Sequence, residues 1–153
     1  MNKSRRDMLR ITTVLGLAIT AGIIKPSEVF ASEWKSKNFE AKSLEDALKQ
    51  IGAENFTVSK DVTISGPDIA ENGAVVPVSV SSNAPNTEFV AILVEKNPTP
   101  LAASFTIPQG TLAEVSTRVK MGGTSNVHAL VKADGKWLMA TKDIKVTLGG
   151  CGG

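Results

Sequence analysis

The sequence predicts an all-β domain, an immunoglobulin-like β-sandwich of about seven strands with a short N-terminal helix and a flexible C-terminal arm. Three observations carry that prediction. Seven or eight short segments, most of them alternating apolar and polar residues, follow one another at about 8–12-residue spacing, the rhythm of a sandwich. One stretch, 44–51, keeps a helical period instead. The chain closes on Gly149-Gly150-Cys151-Gly152-Gly153, where four glycines offer no side chain for packing. A length of 153 residues fits a single domain, and 42% hydrophobic with 21% charged residues is a globular composition.

The first segment, 1–31, reads as an export signal. Arg5-Arg6 and Arg10 precede an apolar run from Ile11 to Ile24, and Val29 and Ala31 stand at −3 and −1 of a small-residue exit. The run is 14 residues long, short of the ~20 that a bilayer span needs. The paired arginines followed by Met8-Leu9-Arg10 resemble the twin-arginine export signal, with Met8 where Phe is usual. A periplasmic protein is the expectation. The segment carries five basic and two acidic residues, so the remaining chain keeps 12 and 13, a net charge of −1 in place of +2. The basic balance therefore belongs to the signal, and no basic stripe suited to nucleic acid remains.

The body, 32–148, begins with the helix. Ser43 precedes Leu44-Glu45-Asp46 as in a capping box. Leu44, Ala47, Leu48 and Ile51 share one face, and Gly52 supplies the stop. The period then turns to two. Val76, Val78 and Val80 alternate with Pro77, Ser79 and Ser81, and Pro77 places this strand at an edge or at a local interruption. Phe89 to Val94 is a continuous apolar run, the mark of a central strand buried on both faces. Asn97-Pro98-Thr99-Pro100 is a loop. Val115, Thr117, Val119 and Met121 alternate with Ser116, Arg118 and Lys120. Val127, Ala129 and Val131 alternate with His128 and Lys132, which puts His128 on the solvent face. Asp134-Gly135 marks a hairpin. Trp137, Met139 and then Ile144 to Leu148 complete the series.

The usual catalytic signatures are missing: there is no G-x-S-x-G, P-loop, G-x-G-x-x-G or H-E-x-x-H. With one Cys and one His, an internal disulfide, a four-cysteine zinc site, a C-x-x-C redox pair and a c-type haem attachment are all excluded. Arg118 and Lys120 read as a solvated sheet face. Strand edges near residues 112–133 are the expected partner-facing surface.

Cys151 is the feature that calls for chemistry. An odd Cys in an exported protein points to partner chemistry or a reactive thiol. Gly149 and Gly150 give the backbone freedom, and Gly152 and Gly153 add no bulk beyond the sulfur. Three residues past Leu148 reach about 10 Å, enough to enter a narrow pocket of another protein. Lys145 is the nearest charged residue in sequence, so activation of the thiol falls to the partner's active site.

The export signal, the small β domain, the Ser116-Thr117-Arg118-Val119-Lys120 strand, Lys145-Val146-Thr147 and the terminal Gly-Gly-Cys-Gly-Gly together resemble the SoxY family of sulfur-compound carriers. The resemblance places covalent substrate attachment on Cys151 and the swinging arm on Gly149, Gly150, Gly152 and Gly153. It implies a non-catalytic carrier without cofactor or metal, paired with a SoxZ-like subunit in a heterodimer. Transient partners would be a c-type haem SoxAX-like enzyme, a manganese SoxB-like hydrolase and a SoxCD-like sulfur dehydrogenase. Two readings compete with it. One is a thiol-dependent periplasmic sulfurtransferase or peroxidase using Cys151, which needs an organised site around the thiol. The other is a ubiquitin-like sulfur carrier ending in Gly-Gly, against which the export signal argues.

Overall fold

The computed structural model describes residues 36–147. The expected export signal (1–31) and the Gly149–Gly153 segment with Cys151 lie outside the described residues. A 3₁₀ turn, Ser36–Phe39, is followed by helix α1, Leu44–Ile51. Nine strands come next: β1 Phe56–Val58, β2 Val62–Ser65, β3 Ile69–Ala70, β4 Val76–Ser82, β5 Thr87–Val94, β6 Leu101–Thr106, β7 Glu114–Val119, β8 Ser125–Ala133 and β9 Lys136–Val146. They form two sheets. The larger runs β1-β9-β8-β5-β6 with β3 also beside β9, and the smaller runs β2-β4-β7. The all-β sandwich with one short helix is the architecture observed.

Local chemistry explains the helix. The Ser43 Oγ accepts the Asp46 amide at 3.1 Å, occupying one of the donors a helix start leaves open. Gly52 ends it at φ 81°, a left-handed conformation that glycine adopts without a Cβ clash. The Gly52 and Ala53 amides turn back onto the Lys49 and Leu48 carbonyls. Ala47 and Leu48 are buried, with Leu44 and Ile51 packed around them.

Two apolar clusters cover the two faces of the larger sheet. Val90, Ile92 and Val94 of β5 join Val127, Ala129 and Val131 of β8 against Val76, Val78 and Val80 of the smaller sheet. On the other face, Ala91, Leu93, Leu130 and Met139 pack with α1 residues Ala47 and Leu48. This is why Val90 to Val94 is apolar at every position: both faces of β5 are covered. At the hairpin end, Asp134 and Gly135 have φ of 47° and 71°, as a two-residue primed turn requires.

The structure amends the sequence reading in three places. Strand β4 is central in its sheet, not an edge strand. It tolerates Pro77 because β2 ends at Ser65 opposite Ser79, so at Pro77 only β7 is paired with it. The expected local interruption is real, and the edge position is not. Residues 136–146 form one 11-residue strand, which ends two residues before the expected Leu148. His128 is not on a solvent face. It is 7% exposed, on the α1-side face shared with Leu130.

Candidate functional site

The residues named from sequence, Cys151 with Gly149, Gly150, Gly152 and Gly153, are outside the described residues. What the structure defines is their root, the end of β9. Strand β8 pairs with β9 only as far as Ser125 opposite Ile144. Beyond that point the parallel strand β3 takes over on the opposite edge, with Ile69 beside Lys145 and Ala70 beside Val146. The Lys145 amide donates to the Asp68 carbonyl at 3.0 Å and the Thr147 amide to the Ala70 carbonyl at 3.1 Å. The Thr147 hydroxyl also donates, at 3.5 Å, to the Glu71 carbonyl.

On the β8 side, a side chain replaces the missing backbone partner. The Val146 amide donates to Thr124 Oγ1 at 3.0 Å, and that hydroxyl donates to the Val146 carbonyl at 3.5 Å. The loop carrying Thr124 is itself fixed by Asn97. Its Nδ2 donates to the Lys120 carbonyl at 2.7 Å and its Oδ1 accepts the Gly122 amide at 3.1 Å. Below Val146 lies Gly73, whose carbonyl accepts the Met121 amide at 2.7 Å. A Cβ on Gly73 would stand 2.5 Å from the Met121 carbonyl oxygen and 2.9 Å from Val146 Cγ1. Cys151 is the fourth residue after Thr147, at most about 14 Å away along extended chain.

Charges at this end are of both signs. Lys96, Lys120 and Lys145 are exposed, as are Glu71 and Asp143. Asp68 pairs with the Lys142 ammonium through a hydrogen bond. That bond and the attraction of the cation hold the Asp68 carboxyl below its ordinary value.

Sequence reasoning missed a polar cluster near the same end of the sheet. The Asn126 amide and His128 Nε2 approach Glu95 Oε2 at 2.9 and 3.2 Å. His128 Nδ1 lies 2.8 Å from the Thr141 hydroxyl. An ionised Glu95 only accepts, so Nε2 carries the proton between them. The hydrogen bonds from Asn126 and then His128 hold the Glu95 carboxyl below its ordinary value, against desolvation. The signal was present in the pattern: Asn126 and His128 share one face of β8, and Glu95 follows the apolar run directly.

No three His, Cys, Asp or Glu side chains among the described residues form a group that could hold a metal. No helix among them is long and apolar enough to cross a membrane. A cleft of about 510 Å³ lies at the other end of the sandwich, lined by Thr87, Glu88, Ile107 and Thr111 among others. That is the hairpin end, where Thr87 pairs with Ala133, far along the sheet from Val146. Of the expected partner-facing strands, β7 (Glu114–Val119) is an edge strand, whereas β8 is buried in the sheet interior.

Comparison with known proteins fits this arrangement. The model of the family described as "Sulfur oxidation protein SoxY" matches residues 48–151, a span that includes Cys151. No curated protein matches. Among solved structures, the sulfur carrier protein SoxY from Chlorobium limicola f thiosulfatophilum superposes with a TM-score of 0.64 at 36% identity. The match covers 69% of this chain and 97% of that one. With its sandwich, its helix and its matched span through the terminal cysteine, the chain belongs to the SoxY family.

Proposed function

We propose that this protein is a sulfur carrier in thiosulfate oxidation, holding the substrate covalently on Cys151 and presenting it to successive enzymes. The observation that carries the reading is the family match running through Cys151, beside a 36%-identical solved structure of a sulfur carrier. The arm root supports it: a fixed strand end, then a short glycine-rich segment ending around a single thiol. A cleft that could serve as a catalytic pocket is at the opposite end of the sandwich. The chain itself is non-catalytic in this reading.

The loading step forms an S–S bond between the Cys151 sulfur and the outer sulfur of thiosulfate. Cys–SH and S₂O₃²⁻ give Cys–S–SSO₃⁻, one proton and two electrons. The electrons pass to a c-type haem partner of the SoxAX-like kind. Water then cleaves the terminal sulfonate on a SoxB-like manganese hydrolase, giving a cysteine persulfide, sulfate and one proton. A SoxCD-like sulfur dehydrogenase is the further partner for the remaining sulfur. A SoxZ-like subunit completes the carrier as a heterodimer. The carrier works in the periplasm, reached through the twin-arginine signal of residues 1–31.

Intact-mass analysis of the chain recovered from thiosulfate-oxidising cells tests this. The expected result is thiosulfate-derived adducts that a thiol reductant removes and that Cys151→Ala abolishes. Adducts persisting in Cys151→Ala, or none on the natural chain, overturn the carrier reading. Turnover of thiosulfate or peroxide by the purified chain alone would make it an enzyme instead.

A further inference from the structure

We infer that the free edge of β7 is a self-pairing surface. Two copies of this chain join there in antiparallel register about a two-fold axis at Ser116, which brings Glu114 of each copy opposite Arg118 of the other. The inference stands apart from the carrier reading.

Strand β7 ends the smaller sheet on one side and, among the described residues, pairs with β4 alone. The Ser82 amide donates to the Ala113 carbonyl at 2.9 Å, and the ladder continues with Val80 opposite Val115 and Val78 opposite Thr117. Antiparallel ladders alternate hydrogen-bonded with non-bonded pairs. Val115, Thr117 and Val119 therefore turn their backbone groups to β4, and Glu114, Ser116 and Arg118 turn theirs outward. Pro77 opposite Arg118 fits this phase, since that pair needs no N–H from the proline. An outward row of open N–H and C=O groups is a template for another strand. The other edges are poorer templates. Strands β1, β2 and β3 have at most four residues, and β6 carries no charge to set a register.

The sequence of β7 decides which strand that is. Glu-Val-Ser-Thr-Arg carries opposite charges at equal distances from Ser116. Antiparallel pairing of two copies sets Ser116 against Ser116, Glu114 against Arg118 and Val115 against Thr117. The pairs at 114, 116 and 118 are those whose backbone groups face outward, so each exchanges both N–H···O bonds. Glu114, Ser116 and Arg118 are exposed, and neither Glu114 nor Arg118 has an ion-pair partner among the described residues. Opposite charges directly across a ladder stabilise it. On the inner side, the half-buried Val115 of each copy meets the half-buried Thr117 of the other. The Ser116 side chain at the axis is short and already bonded to Ser79 Oγ at 2.9 Å, so nothing bulky stands there. The contact is isologous, and it turns two three-stranded sheets into one continuous sheet. The end of β9 lies beside the Val119 end of its own β7, through Met121 and Gly73. Because the paired strands run oppositely, the two β9 ends lie at opposite ends of the pair.

The test is sedimentation equilibrium of the full chain from micromolar to submillimolar concentration, in low salt, with a thiol reductant that keeps Cys151 from crosslinking copies. The natural chain should pass from monomer to dimer across that range. Hydrogen exchange at the Glu114, Ser116 and Arg118 amides should slow as the dimer forms, while Val115 and Thr117, bonded to β4 in either state, keep their rates. Glu114→Arg and Arg118→Glu each set like charges opposite one another at both ends of the pairing, and each should raise the dimer Kd at least about tenfold. An equimolar mixture of the two variants should dimerise again, because one chain then carries Arg at both positions and the other Glu. The double variant, with the two charges exchanged, should dimerise as the natural chain does. A natural chain that stays monomeric, a mixture that fails to recover, or a dimer without the alternating protection at 114, 116 and 118 overturns the proposal. A natural chain that stays monomeric while a SoxZ-like subunit protects this edge assigns the edge to that subunit and overturns the proposal equally.

Discussion

Gly73 shows how much the end of β9 depends on single atoms. Its backbone passes so close to the Met121 carbonyl and the Val146 side chain that a Cβ at 2.5 and 2.9 Å would force them apart. The nearer obstacle is backbone and cannot rotate away. Gly73→Ala should destabilise the protein by about 1–3 kcal/mol, the usual effect of overpacking, read as a lower denaturant midpoint. Gly123→Ala is the control, since nothing lies within 4 Å of its Cβ position. Equal midpoints for the two variants would refute the close-contact argument. A second residue-scale effect concerns pH. Glu95 is held below its ordinary carboxylate value by Asn126 and His128. The folded state therefore gains stability from Glu95 that is fully present above about pH 4.5, its reference value. That stability is lost as pH falls through the depressed folded value. Glu95→Gln should flatten this part of the acid limb in a plot of Tm against pH. An acid limb unchanged in Glu95→Gln would assign the slope to other carboxylates.

At the scale of elements, α1 has eight residues, too few for a stable helix alone in water. It persists because it is capped and because Ala47 and Leu48 lie on the larger sheet. Ser43→Ala removes the 3.1 Å bond to the Asp46 amide and should cost about 1 kcal/mol, measured by denaturant unfolding. A Ser43→Asp variant should retain most of that stability, because a carboxylate also accepts at this position. Equal loss in both would show that the cap contributes nothing here. This helix was legible in the sequence because cap, apolar spacing and stop are all local. The same holds for β5, β8 and the Asp134-Gly135 turn, whose patterns follow from burial on known faces. Strands β1, β2, β3 and β6 were not legible. Every residue of β1 is exposed and β3 has two residues, so neither carries a pattern of alternating burial. Strand β6 reads Leu-Ala-Ala-Ser-Phe-Thr, weak in β-branched residues, and is ordered by lying beside β5. The burial of His128 was hidden for a related reason. Parity gave its face correctly, but only the three-dimensional pairing brings Glu95 and Thr141 onto it. For the site, the sequence supplied the Cys and its glycines, whereas Thr124 and Gly73 become visible only once β3 and the end of β9 are placed.

Across the whole molecule, fold and proposed chemistry are separable. Both apolar clusters draw on residues between Phe39 and Val146. Among the described residues, the pairing of β9 with β8 ends at Ile144 and its pairing with β3 at Val146. Among the described residues, the larger sheet is covered on one face by the smaller sheet and on the other by α1. Deleting Gly150 to Gly153 removes none of these contacts. The truncated chain should unfold cooperatively with a denaturant midpoint matching the full chain, since surface changes away from such features usually stay within about 0.5 kcal/mol. Thiosulfate-dependent respiration should be lost completely in cells carrying it, because the thiol is gone while the partner-facing body remains. Excess truncated chain supplied beside the natural one should also inhibit, by occupying the partners without carrying sulfur. Normal respiration with the truncated chain alone would break the link between Cys151 and transport. A truncated chain that fails to fold would show that the terminal segment belongs to the structure of the body and not only to its chemistry.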